Sequence, residues 1–158
     1  MKIGVISDTH DNLHAISKAV ELFNKEKVEI VLHAGDFVAP FTLKILNELK
    51  CKLVGVFGNN DGDRIMLKKM SGDNIFNSPH TINLADKKVI ISHDLPLEEL
   101  IQSQCYDLIV YGHSHNVDSR IIDRTMVINP GECGGWLSGN CTVAICDIIE
   151  KKTDIITL

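Results

Sequence analysis

Five short apolar runs in this chain each stop at a residue able to bind a metal. Lys2–Ser7 leads into Asp8 and His10, and Ile30–Leu32 leads into Gly35-Asp36. Leu53–Phe57 leads into Gly58-Asn59, and Val89–Ile91 into Ser92-His93. Leu108–Tyr111 leads into Gly112-His113-Ser114-His115. Short β-branched runs bounded by turn residues read as buried strands. In α/β sheets, ligands gather in the crevice outside the carboxyl ends of the strands. The pattern therefore demands a fold in which five strand ends face one place. Asp8 and His10 stand two residues apart, as do His113 and His115. In extended backbone, that spacing would aim each pair at one face.

The rest of the chain alternates helix and strand, then turns strand-rich. From Leu13, the residues Ile16, Ala19, Val20, Phe23 and Val28 follow helical spacing, with Asp11 or Asn12 as the cap. Pro40 opens a helix expected to carry Leu43, Ile45, Leu46 and Leu49. Arg64–Met70 and Pro96–Ser103 read as short helices. Strands are expected at Ile75-Phe76, Thr81–Leu84, Asp118–Ile122, Met126–Ile128, Thr142–Ile149 and Asp154–Thr157, with a hairpin turn at Ala85-Asp86-Lys87. No linker or repeat divides the 158 residues, so residues 1–158 read as one α/β domain with two packed sheets.

Composition narrows the function classes. No apolar run reaches the roughly 18 residues of a membrane helix, and the first residues form no signal or transit peptide. That suggests the cytoplasm. The five cysteines make no C-x-x-C pair and read as free thiols in a reducing compartment. A net charge of -5 argues against a broad nucleic-acid surface. It is compatible with a small anion held at a metal.

Imidazole and carboxylate without thiolate suit Mn, Fe, Zn, Ni or Co better than Ca or Mg. The candidate ligands are Asp8, His10, Asp36, Asn59, His93, His113 and His115, more than the four of a closed zinc site. Two ions with one bridging carboxylate fit that number. Two divalent ions against Asp8, Asp36 and one hydroxide would leave a centre near about +1. Such a centre suits a phosphate ester, and paired ions clamp an in-line displacement at phosphorus.

Asp8-x-His10, Gly35-Asp36, Gly58-Asn59-x-Asp61, His93 and Gly112-His113-x-His115 together resemble the calcineurin-like metallophosphoesterase superfamily. The short length and Gly-Asn-Asn-Asp are similar to its small YfcE-type phosphodiesterases. The resemblance runs from Met1 to about Gly131. It implies a four-layer αββα sandwich of two mixed sheets flanked by helices. It also implies two divalent metal ions, Mn first among them. Asp8, His10, Asp36 and His115 would hold one ion; Asp36, Asn59, His93 and His113 would hold the other. The implied catalytic residues are Asp36, Asn59, Asn60 and His93. A hydroxide bridging the ions would attack a small phosphodiester in line.

Three positions depart from the family pattern. Asn60 stands where many members have a histidine able to protonate the leaving group. An amide donates a hydrogen bond but delivers no proton at neutral pH, so diesters with good leaving groups are the expected substrates. Asp94-Leu95 replaces a common Gly-His, and Glu132 replaces a serine and is expected at the rim. The alternative is a weak or inactive scaffold like the retromer subunit, which shares this fold and binds proteins. A nuclease acting on long nucleic acid lacks an evident basic groove here. An exposed edge strand or the Trp136 loop could pair copies into a homo-oligomer. Among the remaining residues, His33 is expected in the core or behind the ligands, and His14 in solvent. His80 has no expected role, Asp61 would orient the Asn59 loop, and Trp136 reads as packing or as an aromatic wall.

Overall fold

Alternation along the strands sets the layers. The computed structural model describes residues 1–158, in eleven strands and four α-helices. In chain order these are β1 (Lys2–Ile6), α1 (Leu13–Glu26), β2 (Ile30–His33), α2 (Leu43–Leu46), β3 (Lys52–Val56), α3 (Arg64–Met70) and β4 (Ile75–Phe76). There follow β5 (His80–Leu84), β6 (Lys87–Ile91), α4 (Leu97–Gln102), β7 (Leu108–Val110), β8 (Val117–Ile122), β9 (Thr125–Pro130), β10 (Thr142–Asp147) and β11 (Lys152–Thr157). One sheet has the order β11-β10-β1-β2-β3-β4, the other β5-β6-β7-β9-β8. Both are mixed: β1 to β4 run parallel with β10 antiparallel to β1, while β6, β7 and β9 run parallel with antiparallel edges.

Ile3, Val5, Leu32, Val54 and Val56 of the first sheet meet Val89, Ile91, Leu108, Val110, Met126 and Ile128 of the second. The alternate residues Ile6, Val31 and Leu53 face outward onto Ile16, Ala19, Val20 and Phe23 of α1 and Leu43 of α2. On the far side, Ile90, Ile109 and Val127 pack on Ile101 of α4. The four layers follow from this period of two. Burying each such aliphatic chain is worth roughly 1.5–3 kcal/mol, so the facing strands are held firmly while their ends are free to carry polar residues. No helix is long and apolar enough to cross a membrane.

Two helices are shorter than their spacing predicts. Helix α1 stops at Glu26 because Lys27 turns left-handed (φ 54°), and Val28 N–H returns to the Phe23 carbonyl, closing a Schellman cap. Its N-cap is Asn12, whose side chain accepts from Ala15 N–H; Asp11 accepts from Ala39 N–H instead. Beyond a 3-10 turn at Pro40–Thr42, α2 spans four residues and excludes Leu49. The reason is competition: Asn24 of α1 accepts from Lys50 N–H and donates to the Glu48 carbonyl, drawing that segment out of the helix.

Candidate metal centre

Strands β1, β2 and β3 of one sheet and β6 and β7 of the other deliver their carboxyl ends to a shared edge. Backbone bonds tie the ends together. Asp8 N–H donates to the Gly35 carbonyl, His10 N–H to the Asp36 carbonyl, and Gly112 N–H to the His93 carbonyl. Two glycines give the clearance this crowding requires. A Cβ at Gly112 would lie 2.0 Å from Ser7 Oγ and 2.8 Å from Asp8 Oδ2, and one at Gly58 would lie 2.2 Å from Asp36 Oδ1.

The paired histidines do not converge through extended backbone, as their spacing suggested. His113 and His115 have φ of 64° and 59°; Asp8, His10 and Asp36 are also left-handed, at 51°, 39° and 60°. A side chain in that region costs of order 1–3 kcal/mol and persists only when its surroundings hold it. Here the surroundings are those bonds between neighbouring strand ends, together with His113 N–H donating to Asp8 Oδ2 from one sheet to the other. Asp61 adds to them, accepting from Val38 N–H and Gly58 N–H at 2.7 Å each, so it holds the Asn59 loop against the Asp36 turn.

The ligand-type atoms fall into two groups. Asp8 Oδ1 lies 3.3 Å from His115 Nε2 and 3.9 Å from His10 Nε2, and the two histidine nitrogens stand 3.4 Å apart. On the other side, Asn59 Oδ1 lies 2.7 Å from His93 Nε2 and 3.0 Å from His113 Nδ1, with 3.3 Å between those nitrogens. Asp36 Oδ2 stands between the groups, 3.6 Å from His10 Nε2 and 3.4 Å from His93 Nε2. Atoms each about 2.1 Å from one ion, at octahedral to tetrahedral angles, stand roughly 3.0–3.4 Å apart. Four of the six distances within the two groups fall in that range; Asp8 to His10 at 3.9 Å is longer and Asn59 to His93 at 2.7 Å is shorter.

The chemistry of these atoms agrees. His93 Nδ1 lies 2.9 Å from the Ala34 carbonyl, so the proton belongs there and Nε2 turns a lone pair toward the Asn59 oxygen. An imidazole nitrogen and an amide oxygen 2.7 Å apart need a proton or a metal ion between them. Burial opposes charge on His93, yet the Asp36 carboxylate and the Ala34 carbonyl outweigh it and hold its pKa above the ordinary value. Burial likewise works against Asp36, but His93 and both Asn60 donors hold its carboxyl well below the usual range. Asp8 is fully buried, burial pushes its carboxyl up, and its Oδ1 has no hydrogen-bond partner. An orphaned, buried carboxylate oxygen facing two imidazoles fits a cation well.

Asn60 is committed to Asp36. Its backbone N–H donates to Oδ1 at 2.8 Å and its amide to Oδ2 at 2.7 Å. His33 lies behind the centre, fully buried, stacked on Phe37 at 3.6 Å. It accepts from Gly35 N–H and faces Thr9 Oγ1, which donates to the Asp36 carbonyl; burial brings its pKa down to about 3. His14 is exposed, and His80 stacks on Phe76 away from the centre.

Glu132 is not at the rim. It is buried, with Oε1 3.5 Å from His115 Nδ1. Burial pushes its carboxyl up, but donors from Ser138, Leu137 and Trp136 outweigh that and hold it below the usual range. The acidic residue in Gly131-Glu132 preceding a glycine-rich loop was the sequence signal for such an anchor, but which donors would reach it depends on the loop's path. Trp136 is two-thirds exposed (66%) and does not serve the core.

Two clefts open onto the centre. One of about 300 Å³ is lined by His10, Asp36, Asn60, His115, Trp136 and Leu137, among others. The other, of about 560 Å³, is lined by His93, His113, Arg64, Asn77, Ser78 and Asp94, among others. Asn59 and His113 border both.

The model of the calcineurin-like phosphoesterase superfamily domain matches residues 1–151. The chain belongs to this superfamily. It is similar to phosphodiesterase MJ0936 of Methanocaldococcus jannaschii, 42% identical over 96% of each chain. A solved structure described as a novel archaeal phosphodiesterase is also 42% identical, with a TM-score of 0.95 covering 100% of both chains. Two more distant structures share the fold. The phosphoesterase YfcE of E. coli has 20% identity and a TM-score of 0.75, covering 99% of this chain and 98% of that one. Vps29 of Entamoeba histolytica has 19% identity and a TM-score of 0.74, covering 100% and 99%. In this metallophosphoesterase, family and donor groups together point to divalent metal binding.

Proposed function

We propose that the protein hydrolyses small phosphodiesters using two divalent metal ions, with residues 1–158 acting as one catalytic domain. The observation that carries this reading is the position of Asp36 Oδ2, within 3.6 Å of a donor in each of two groups. Asp8, His10 and His115 would hold one ion, and Asn59, His93 and His113 the other, with Asp36 shared. Bound ions of this kind act as Lewis acids and lower the pKa of water. The chain's own part is to hold the phosphate between the two groups. His93 keeps its proton on the Ala34 side, which leaves Nε2 free as a donor atom. Asn60 fixes both oxygens of Asp36 through its backbone and one amide hydrogen, leaving its second amide hydrogen for a phosphate oxygen in the smaller cleft.

With an amide at position 60, the leaving group would take its proton from water or from an acid other than residue 60. A monoester with a poor leaving group needs such an acid; a diester with an acidic alcohol depends on it least. The name of the M. jannaschii relative supports the same preference. The ligand types suit Mn, Fe, Zn, Ni or Co, and the family resemblance puts Mn first. Five free thiols fit a reducing, cytoplasmic setting.

The reading is tested by titrating metal-free protein with Mn, then screening mono- and diesters with Mn, Ni, Zn and Mg. Two bound equivalents and diesterase activity abolished by Asp36→Asn are expected. No binding at micromolar Mn would favour a protein-binding scaffold of the same fold.

A further inference from the structure

The loop after β9 is built as a wall for the smaller cleft. Glu132 gathers Trp136 N–H at 2.8 Å, Leu137 N–H at 3.2 Å, and Ser138 N–H and Oγ at 2.9 Å each. One buried carboxylate thus holds three consecutive residues. Gly134 N–H donates to the Asp8 carbonyl, seating the loop on the strand end that carries Asp8 and His10. The indole N–H donates to the His10 carbonyl at 2.9 Å, which fixes the ring's edge and leaves its faces open. Trp136 and Leu137 are 66% and 81% exposed, yet both line the cleft that contains His10, Asp36 and His115. An exposed tryptophan held by so many bonds is pre-organised rather than idle.

We propose that Trp136 is a specificity-determining residue that stacks a nucleobase of the diester, and that Glu132 is its positioning residue. This rests on the phosphodiesterase reading above. The cleft has two apolar residues among nine, the rest being polar. An apolar face with a polar surround suits a heteroaromatic ring better than a phenyl or alkyl group. At about 300 Å³ it has room for more than a phosphate. The acidic chain, at -5, favours a mononucleotide-sized ligand over a polymer.

Trp136 is the only tryptophan, so its fluorescence reports on this wall directly. With zinc-loaded protein, thymidine 5′-monophosphate should quench saturably, phenyl phosphate more weakly, and inorganic phosphate not at all. Equal responses to all three, or none, would overturn the proposal. In hydrolysis, thymidine 5′-p-nitrophenyl phosphate and methyl p-nitrophenyl phosphate share a leaving group. Trp136→Ala should lower the ratio of their kcat/KM values about tenfold, as loss of base stacking does, while Trp136→Phe keeps most of it. Glu132→Ala should lower the same ratio mainly through KM, with partial rescue by Glu132→Gln. If the wild type hydrolyses both esters and Trp136→Ala leaves the ratio unmoved, the stacking is wrong and the diesterase reading stands. If it hydrolyses neither, the diesterase reading falls, and the quenching pattern alone decides whether the wall accepts a base.

Discussion

The two donor groups share Asp36 but are built differently. Asp8, His10 and His115 lie largely buried, backed by Glu132, with Asp8 Oδ1 and His115 Nδ1 lacking hydrogen bonds. Asn59 and His113 are exposed, on loops open to both clefts. In the second group only His93 is buried, and its ring is already fixed by the Ala34 carbonyl. The first group therefore leaves a buried carboxylate oxygen unpartnered, which a cation would balance. In the second, the protein fixes the His93 ring, while Asn59 and His113 stay open to solvent. Burial makes a site demanding, and exposure makes it adaptable.

Metal removal probes this contrast most strongly. A ligand in hundredfold excess over its Kd stabilises a protein by about 2.7 kcal/mol. Saturating Mn should stabilise the wild type against urea by that order. His10→Ala should remove more of the gain than His113→Ala, because it leaves Asp8 buried beside an incomplete set. Equal losses in the two variants would break the comparison.

Clearance around the Asp8 and Asp36 carboxylates is probed by one added methyl group. Gly112→Ala intrudes on Ser7 and Asp8, and Gly58→Ala on Asp36. Each should cost about 1–3 kcal/mol in urea unfolding of metal-free protein, with Gly58→Ala weakening Mn binding at both groups and Gly112→Ala chiefly at the first.

Acid stability sharpens the picture of what lies behind the centre. His33 titrates near 3 when folded and near 6.5 when unfolded. The unfolded chain therefore binds the extra proton first. The stabilisation is complete above pH 6.5 and is lost as pH falls toward 3, by up to about 1.4 kcal/mol per pH unit. His33→Gln should flatten that part of the stability profile in EDTA. An unchanged slope would show that His33 is not held neutral.

The smallest expected effect concerns Asn60. Asn60→His places a titratable group at the mouth of the smaller cleft and should raise monoester over diester turnover about tenfold. It should also loosen Asp36, since the amide bond to Oδ2 is lost. Unchanged selectivity would remove the leaving-group argument.

Much of the fold could be read locally. The continuous apolar runs of β1, β6 and β7 and the Asn12 cap are properties of neighbouring residues, legible without knowing what they pack against. The clustering of ligand types after five strands belongs to the same level, because strand ends are where a chain can turn polar. Three-dimensional contact alone decided how those residues converge. His10 meets His115 across 105 positions of sequence, and His93 meets Asn59 across 34. Left-handed backbone at Asp8, His10, Asp36, His113 and His115 comes with bonds between strand ends far apart in sequence, so spacing in an extended strand could not foretell it. The early end of α2 and the pairing of Asn60 with Asp36 have the same origin. Each is settled by a partner distant in the chain that competes for a hydrogen bond the local sequence would have spent elsewhere.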